Sequence, residues 1–481
     1  MPTRRAVIRS GGSLALWATL GRPGLAAETR DITGQLARYM AGAAAAPMPV
    51  HVVEACKNRI LDTIGAMVSG ARMAPGIAAV KYVSNLGGTP QASVVASSLR
   101  TTAVNAAFAN AMCAHADETD DFEPATKAHP GCSAVPAALA MAEKNGASGS
   151  SLIRAVALGY DLGCRLLMAL GPDLVRAGHR SAEGTSATFC ALGAASALAG
   201  FDETRMRFAI SYAAQQVSGL WSWVDDEEHV EKAFDFAGMG ARNGVMAVTM
   251  VEAGLSGVRD VLDGQHNLFL ALSGKPDPEA MVSELGSRFF VTESAIKTYS
   301  VGYPNQAAID ALLWLRRTYG LTPANTRSIL VRLPTDAVGI VGASAMADVN
   351  CQHLIAVALL KGAISFRDSH DAGLMKDPAV LAVRSKVVVV ADPALLDPAA
   401  PRGAIVEVVL ADGRSLSRHT RFPPGTKENP LATPAVSAKV RDLIEPVLGR
   451  QRSERLIEEV VRLETIPDVR RLVSSLTGPM R

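Results

Sequence analysis

The sequence predicts a mainly α protein: a large all-α helical domain built from both chain ends, plus a smaller α+β lid domain. Three observations predict it. Helical periodicity runs almost unbroken from Asp31 to Ala253, strand-like alternation starts only near Leu285, and helical patterns return after Pro423-Pro424-Gly425. At 481 residues, 48% apolar and 5% aromatic, the chain is long enough for more than one core and too apolar to be disordered. Its net charge is +2 with no basic stripe, which excludes the electrostatic footprint of a nucleic-acid binder and leaves a small molecule as the expected partner.

Residues 1–27 read as an export signal. Arg4, Arg5, Arg9 and Arg22 without an acid, a short apolar run from Gly12 to Leu20, and Pro23-Gly24-Leu25-Ala26-Ala27 supply its charge, core and small-residue exit. Thr3-Arg4-Arg5-Ala6-Val7-Ile8-Arg9 resembles a twin-arginine motif, so a folded chain is expected in the periplasm, with no membrane attachment once the signal is cut. Residues 28–284 form the first part of the helical domain, with helices over 50–68, 102–115, 134–145, 150–170, 184–199 and 203–217. Ala187, Ala191, Gly193, Ala194 and Ala195 keep facing positions small and let helices approach closely. Residues 285–425 form the α+β lid. Strand patterns lie at 289–291, 328–333, 387–390, 405–410 and 415–421, with helices at 305–319 and 350–360. Residues 426–481 turn helical again at 434–448, 453–463 and 469–476 and are expected to pack back on the first bundle. Cys56, Cys113, Cys132, Cys164, Cys190 and Cys351 show no C-x-x-C spacing and fall in apolar patterns, as buried thiols do.

The densest polar segment, His115-Ala116-Asp117-Glu118-Thr119-Asp120-Asp121-Phe122, continues to His129-Pro130-Gly131 between two apolar helices. A solvated acidic loop, a divalent-metal site and an active-site loop compete for it. Its acids lack the Asp-x-Asp-x-Asp-Gly spacing and no His-x-x-x-His accompanies them, so no metal is expected. His129 precedes a helix, near free backbone N–H groups and a positive dipole end that favour a carboxylate. Gly178-His179-Arg180-Ser181 repeats that arrangement. One such histidine is ordinarily a cap or a surface residue, whereas two suggest a shared anion site with near-neutral groups for proton transfer. Lys232, in Glu231-Lys232-Ala233-Phe234-Asp235, and Lys297, at the domain junction, would ordinarily be solvated. Each stands beside apolar residues, where a lysine binds a carboxylate or titrates at a useful pH. No Gly-x-Ser-x-Gly elbow supports serine acyl transfer.

His115-Ala116-Asp117…Asp121…His129-Pro130, Gly178-His179…Gly184-Thr185, Glu231-Lys232…Asp235 with Gly240-Ala241-Arg242-Asn243-Gly244, Ala295-Ile296-Lys297, and Asp348-Val349-Asn350-Cys351-Gln352-His353 together resemble the MmgE/PrpD family, in order along the mature chain. The resemblance implies a homodimer with no metal or organic cofactor and an active site in the cleft between two domains. It places Asp117, His129, His179, Lys232 and Lys297 at catalytic positions. Asp121, Phe122, Trp223, Tyr299 and Tyr303 are the candidate substrate contacts. Two departures bear on specificity: Phe122 stands where decarboxylases of the family carry a threonine, and the run after Lys297 differs from the Lys-x-Tyr-Pro-x-Cys of the dehydratases. The expected function is a cofactor-independent lyase, dehydrating or next decarboxylating, that works α/β to a carboxylate of a small di- or tricarboxylate-like substrate. An epimerase using the same proton transfer is the enzymatic alternative. A periplasmic carboxylate binder without turnover is the other, though binding alone would not demand proton-transfer groups.

Overall fold

The computed structural model describes residues 31–342 and 344–478, so the signal at 1–27 lies outside the described residues. Helices dominate, beginning at Ile32–Ala43 and ending at Arg470–Leu476, with small sheets. Among the described residues no helix is long and apolar enough to cross a membrane. The six cysteines are buried and unpaired.

One apolar core gathers the helices from both ends of the chain. It runs from Ile32 to Ile296 and resumes from Val436 to Leu476. Small residues set its spacing. A Cβ on Gly163, in the helix Gly149–Leu170, would fall 2.0 Å from Cys190 Sγ, in the helix Ala182–Ser196. Likewise a Cβ on Gly240 or Gly244, in Met239–Glu252, would fall 2.3 or 2.5 Å from the Cβ of Ala187 or Ala191. These helices therefore touch backbone to backbone, as the run of alanines and glycines predicts. The C-terminal helix Thr433–Leu448 lies on Val50–Gly70, where a Cβ on Gly65 would meet Val440 and Leu443 at 3.2 Å.

A second core, from Val301 to Leu410, lies under a four-stranded sheet. Val387–Ala391 runs parallel to Thr326–Leu333, which pairs antiparallel with Ala404–Leu410, and this in turn with Ser415–Thr420. Ala404, Val406, Val408 and Leu410 alternate inward, the period of a sheet with one covered face. The helices Gln306–Tyr319 and Cys351–Lys361 contribute buried residues to the same core.

The strand expected at 289–291 is instead a 3-10 turn, Phe290–Thr292. Asp161 accepts from the Phe290 N–H at 2.9 Å and Arg165 donates to the Arg288 carbonyl, so this backbone is satisfied by a helix rather than a neighbouring strand. The helix expected from 134 starts earlier, at Gly131, because Asp121 Oδ1 accepts from the Gly131 N–H at 2.9 Å. Two segments cross where the cores adjoin. The N–H of Ile296 donates to the Gly425 carbonyl at 3.1 Å, and Thr298 Oγ1 to the Pro424 carbonyl at 2.9 Å. Gly425 has φ +101°, and a Cβ there would fall 1.8 Å from the Ile296 oxygen, so this crossing requires glycine.

Candidate active site

The acidic loop is buried, which means that its charges must find partners. His115 ends the helix Ala103–Ala114, and the chain then turns through Glu118, a non-glycine residue at φ +52°. Asp120 Oδ2 accepts from Nδ1 of both His115 (2.9 Å) and His129 (3.0 Å), while its Oδ1 lies 3.6 Å from Lys297 Nζ. Glu118 bridges the two lysines: Lys232 contacts Oε1, and Lys297 donates to Oε2 at 3.0 Å and to the Glu118 carbonyl at 2.8 Å. Lys232 sits on a short helix, Val230–Ala233, that runs into a π-helical turn, Phe234–Gly238. Such turns recur at functional sites. Here the turn brings Phe236 against His115, with centroids 4.4 Å apart and planes inclined by 21°. The rings of His115 and His129 stand 5.1 Å apart, and His229 stands 5.4 Å from His115.

Burial and charge set the protonation pattern. Burial pushes the carboxyls of Glu118 and Asp120 up, but the two lysines for Glu118, and His115, His129 and Lys297 for Asp120, hold both well below the usual range. Burial pulls Lys297 down, yet Glu118 and Asp120 outweigh it and keep the ammonium above its usual value. Burial lowers His115 in spite of Asp120, and burial with Lys232 takes His229 down to about 4. The cluster thus holds two ammonium groups, two carboxylates, and imidazoles at His115 and His229 that are neutral at pH 7.

His129, Lys232 and Lys297 are brought together as the sequence reading places them, while Asp117 lies within electrostatic reach of Lys297 but forms its hydrogen bonds elsewhere. Its carboxylate accepts from Ser69 Oγ and, at 3.1 Å, from the Thr119 N–H, and burial raises it to about 7. Asp120 therefore orients the histidines, and Glu118 meets the lysines. His179 is exposed in the turn between Pro172–Ala177 and Ala182–Ser196, at φ +58°. Ser181 is the residue that caps the second helix and Arg176 the one that reaches Glu183, so the structure leaves His179 outside the cluster. Asp121 ties the loop down: it accepts from Gly131 N–H and, at 2.6 Å, from Ser294 Oγ. Phe122 stacks on Tyr303 at 4.3 Å and lies 5.2 Å from His129. Tyr303 also lines a separate cavity of about 130 Å³ with Glu123 and Arg402. Tyr299 packs against the sheet-side core. Trp223 stands 4.8 Å from Phe236, with Lys232 Nζ 5.3 Å from the Trp223 ring centre.

Glu118, Asp120, His115 and His229 are the members that sequence reasoning missed. The signal was present in the acidic run, but a loop has no period that would show which of adjacent acids turns inward. A cleft of about 780 Å³ reaches the cluster at Lys232 and Trp223, and Val338, Ile340, Met346 and Val349 wall its other side. Two groups could in principle hold a cation: His115, Asp120 and Cys132, or His115, Glu118 and His229. Neither fits as it stands. Asp120 Oδ2 is already taken by the Nδ1 atoms of His115 and His129, and the ammonium groups already occupy Glu118.

Paired imidazoles fixed by one carboxylate, beside two buried ammonium groups at a cleft, form a group able to move protons and to hold an anion. Residues 34–281 match the MmgE/PrpD N-terminal domain and residues 299–465 the MmgE/PrpD C-terminal domain, and the chain is an enzyme of the MmgE/PrpD family. It is 24% identical to a cis-aconitate decarboxylase-like protein of Aspergillus oryzae, over 94% of this chain and 98% of that one. It is likewise 24% identical to a cis-aconitate decarboxylase of Aspergillus terreus (94% and 96% covered) and 25% identical to the human cis-aconitate decarboxylase (94% and 95%).

Proposed function

We propose that the enzyme is a lyase that eliminates water, or next carbon dioxide, from a small di- or tricarboxylate-like substrate without a cofactor. The observation that carries this reading is the sharing of Asp120 Oδ2 by His115 and His129, 5.1 Å apart, beside Lys232 and Lys297. Nδ1–H bound to a carboxylate leaves Nε2 as the site in each ring where a proton can be taken up. In dehydration one imidazole takes the proton next to the carboxylate. The electron pair forms the new C=C bond as the C–O bond breaks, and the imidazole that took the proton returns it to the departing hydroxide, which leaves as water. Charge gathers meanwhile on the substrate carboxylate, where the lysines stabilise it in dry surroundings. The names of the relatives, cis-aconitate decarboxylases, support the class of reaction and keep decarboxylation second. Epimerisation is the enzymatic alternative, in which one imidazole removes the proton and a proton drawn from solvent is returned on the opposite face.

The reading extends to a sheet-bearing part that closes over the helical body as a lid, to a homodimer, and to export through the twin-arginine signal. A processed N-terminus near Ala27 in the periplasmic fraction supports export, and protein found only in the cytoplasm with Met1 intact rejects it. The test of function is proton NMR in D₂O with citrate, 2-methylcitrate, cis-aconitate, malate and aspartate. A new alkene or decarboxylated product supports the lyase. Exchange at a stereocentre without elimination moves the assignment to an epimerase, and binding without either rejects catalysis on these compounds.

A further inference from the structure

Four nitrogen groups surround a single internal carboxylate. Lys232 and Lys297 pair with Glu118, and Nε2 of His229 and of His115 lie 3.7 and 4.0 Å from its Oε1. Neither Nε2 has a hydrogen-bond partner, nor has Nδ1 of His229, although all are buried. Buried imidazole nitrogens left in this way are expensive, and a native site tends to hold them for a purpose. The Glu118 backbone is strained at φ +52°, a conformation that persists only where the surroundings enforce it. The cluster is also closed. His115 and Lys297 are 0% exposed and Glu118 2%, and the neighbouring cleft touches only Lys232. No incoming carboxylate can meet these cations while Glu118 holds them.

We infer that the cage of Lys232, Lys297, His115 and His229 is the subsite for a substrate carboxylate, and that Glu118 is its built-in occupant, displaced when substrate binds. Exchanging one carboxylate for another leaves the buried charge unchanged, so the displacement avoids the cost of an unpaired ammonium. A substrate that also carries a hydroxyl adds what Glu118 lacks, an O–H donor for the unpartnered Nε2 of His115, and the release of the Glu118 backbone favours the exchange further. The segment built to yield carries Lys232. It runs from His229, itself at φ +63°, to the π-helical turn Phe234–Gly238, whose extra residue per turn can shift register. Glu118 thereby keeps the site neutral and shut in the absence of ligand.

The inference rests on the lyase reading only in taking the ligand to be the substrate, and its test needs no turnover. In Glu118→Ala, acetate should occupy the vacated cage and raise the melting temperature saturably, acetamide should not, and wild type should respond to neither. Malonate should bind Glu118→Ala at least tenfold more tightly than wild type, a gain of about 1.4 kcal/mol, and acetate should compete with it. Glu118→Gln keeps the side-chain volume and should show the same malonate gain if the alanine variant folds poorly. Malonate binding that is equal or weaker in both variants overturns the inference, because Glu118 is then a permanent counter-charge; so does an alanine variant blind to acetate. Tightened malonate binding with no product from the wild type in the D₂O panel would reject the lyase reading and leave the cage standing.

Discussion

Replacing Asp120 by Asn is the sharpest probe of the proposed chemistry. Asp120 is 0% exposed, and its Oδ2 takes both histidine Nδ1 atoms, at 2.9 and 3.0 Å. An asparagine of the same shape can keep an oxygen there, but without charge. Each hydrogen bond then falls from the charged class, about 1.5–3 kcal/mol, to the neutral class, about 0.5–1.5 kcal/mol. The two bonds together lose about 2–3 kcal/mol in the ground state. The transition state loses more, since one imidazole is then a cation that Asp120 no longer balances. Only that excess over the ground-state loss slows the reaction; an unbalanced buried imidazolium costs about 3–5 kcal/mol, which converts to a rate loss of about 10²–10⁴, in line with the loss of about 10⁴ when a carboxylate behind a catalytic imidazole is amidated. The readout is the rate of deuterium incorporation or product formation by NMR, with substrate affinity measured separately by thermal shift. A variant that keeps more than about a tenth of the wild-type rate would refute the role assigned to Asp120. Stability should change with pH in a defined direction. The folded pKa of Asp120 lies below its unfolded value, so its contribution is present above the unfolded pKa and disappears as pH falls through the folded one. The variant should accordingly lose part of the wild type's acid sensitivity.

Asp117 has the opposite sign. Its folded pKa of about 7 lies above the unfolded value, so it contributes stability at low pH that is lost as pH rises through about 7. Asp117→Asn should therefore narrow the gap in melting temperature between pH 5 and pH 8, and an unchanged gap refutes the assignment. His370 Nε2 donates to the Asp117 carbonyl at 2.9 Å, joining the short helix Phe366–His370 to the acidic loop. His370→Ala should cost about 0.5–1.5 kcal/mol and speed amide exchange across 117–120, with unaltered exchange counting against the tie. Gly244→Ala should push two helices apart at Ala191 and Leu192, lowering stability by about 1–3 kcal/mol in denaturant melts, and a neutral outcome would show that the contact can relax.

Most of the architecture was legible because it follows from spacing. The strands at Thr326–Leu333, Val387–Ala391, Ala404–Leu410 and Ser415–Thr420 and the helices that flank them lie within a few residues of the expected ranges, since alternation and helical period are properties of the local chain. The turn at Phe290 was not legible, because its partners, Asp161 and Arg165, are remote in sequence. The site shows the same division. Lys232, Lys297 and His129 stood out as polar residues in apolar or helix-leading positions. Asp117 came from the family motif, and Glu118 was not singled out, since the loop conformation that turns it inward rests on a positive φ that composition does not announce for glutamate. His179 was drawn in by its place before a helix, but Ser181 does that helix's capping and leaves the imidazole in solvent.

The joining of the chain ends in one core bears on how the protein is made. Val440 and Leu443 settle beside Gly65 in Val50–Gly70, a helix that leaves the ribosome hundreds of residues before its partner exists. Contacts between such distant residues are slow to form. Until residues 433–476 have been translated, the apolar groove that receives them stays open, and the nascent chain presents it to chaperones and proteases. A message cut short before that point should yield a protein recognised as unfinished, however well its first helices have formed. Release of the last helices from the ribosome is then the step that commits the chain to its native state.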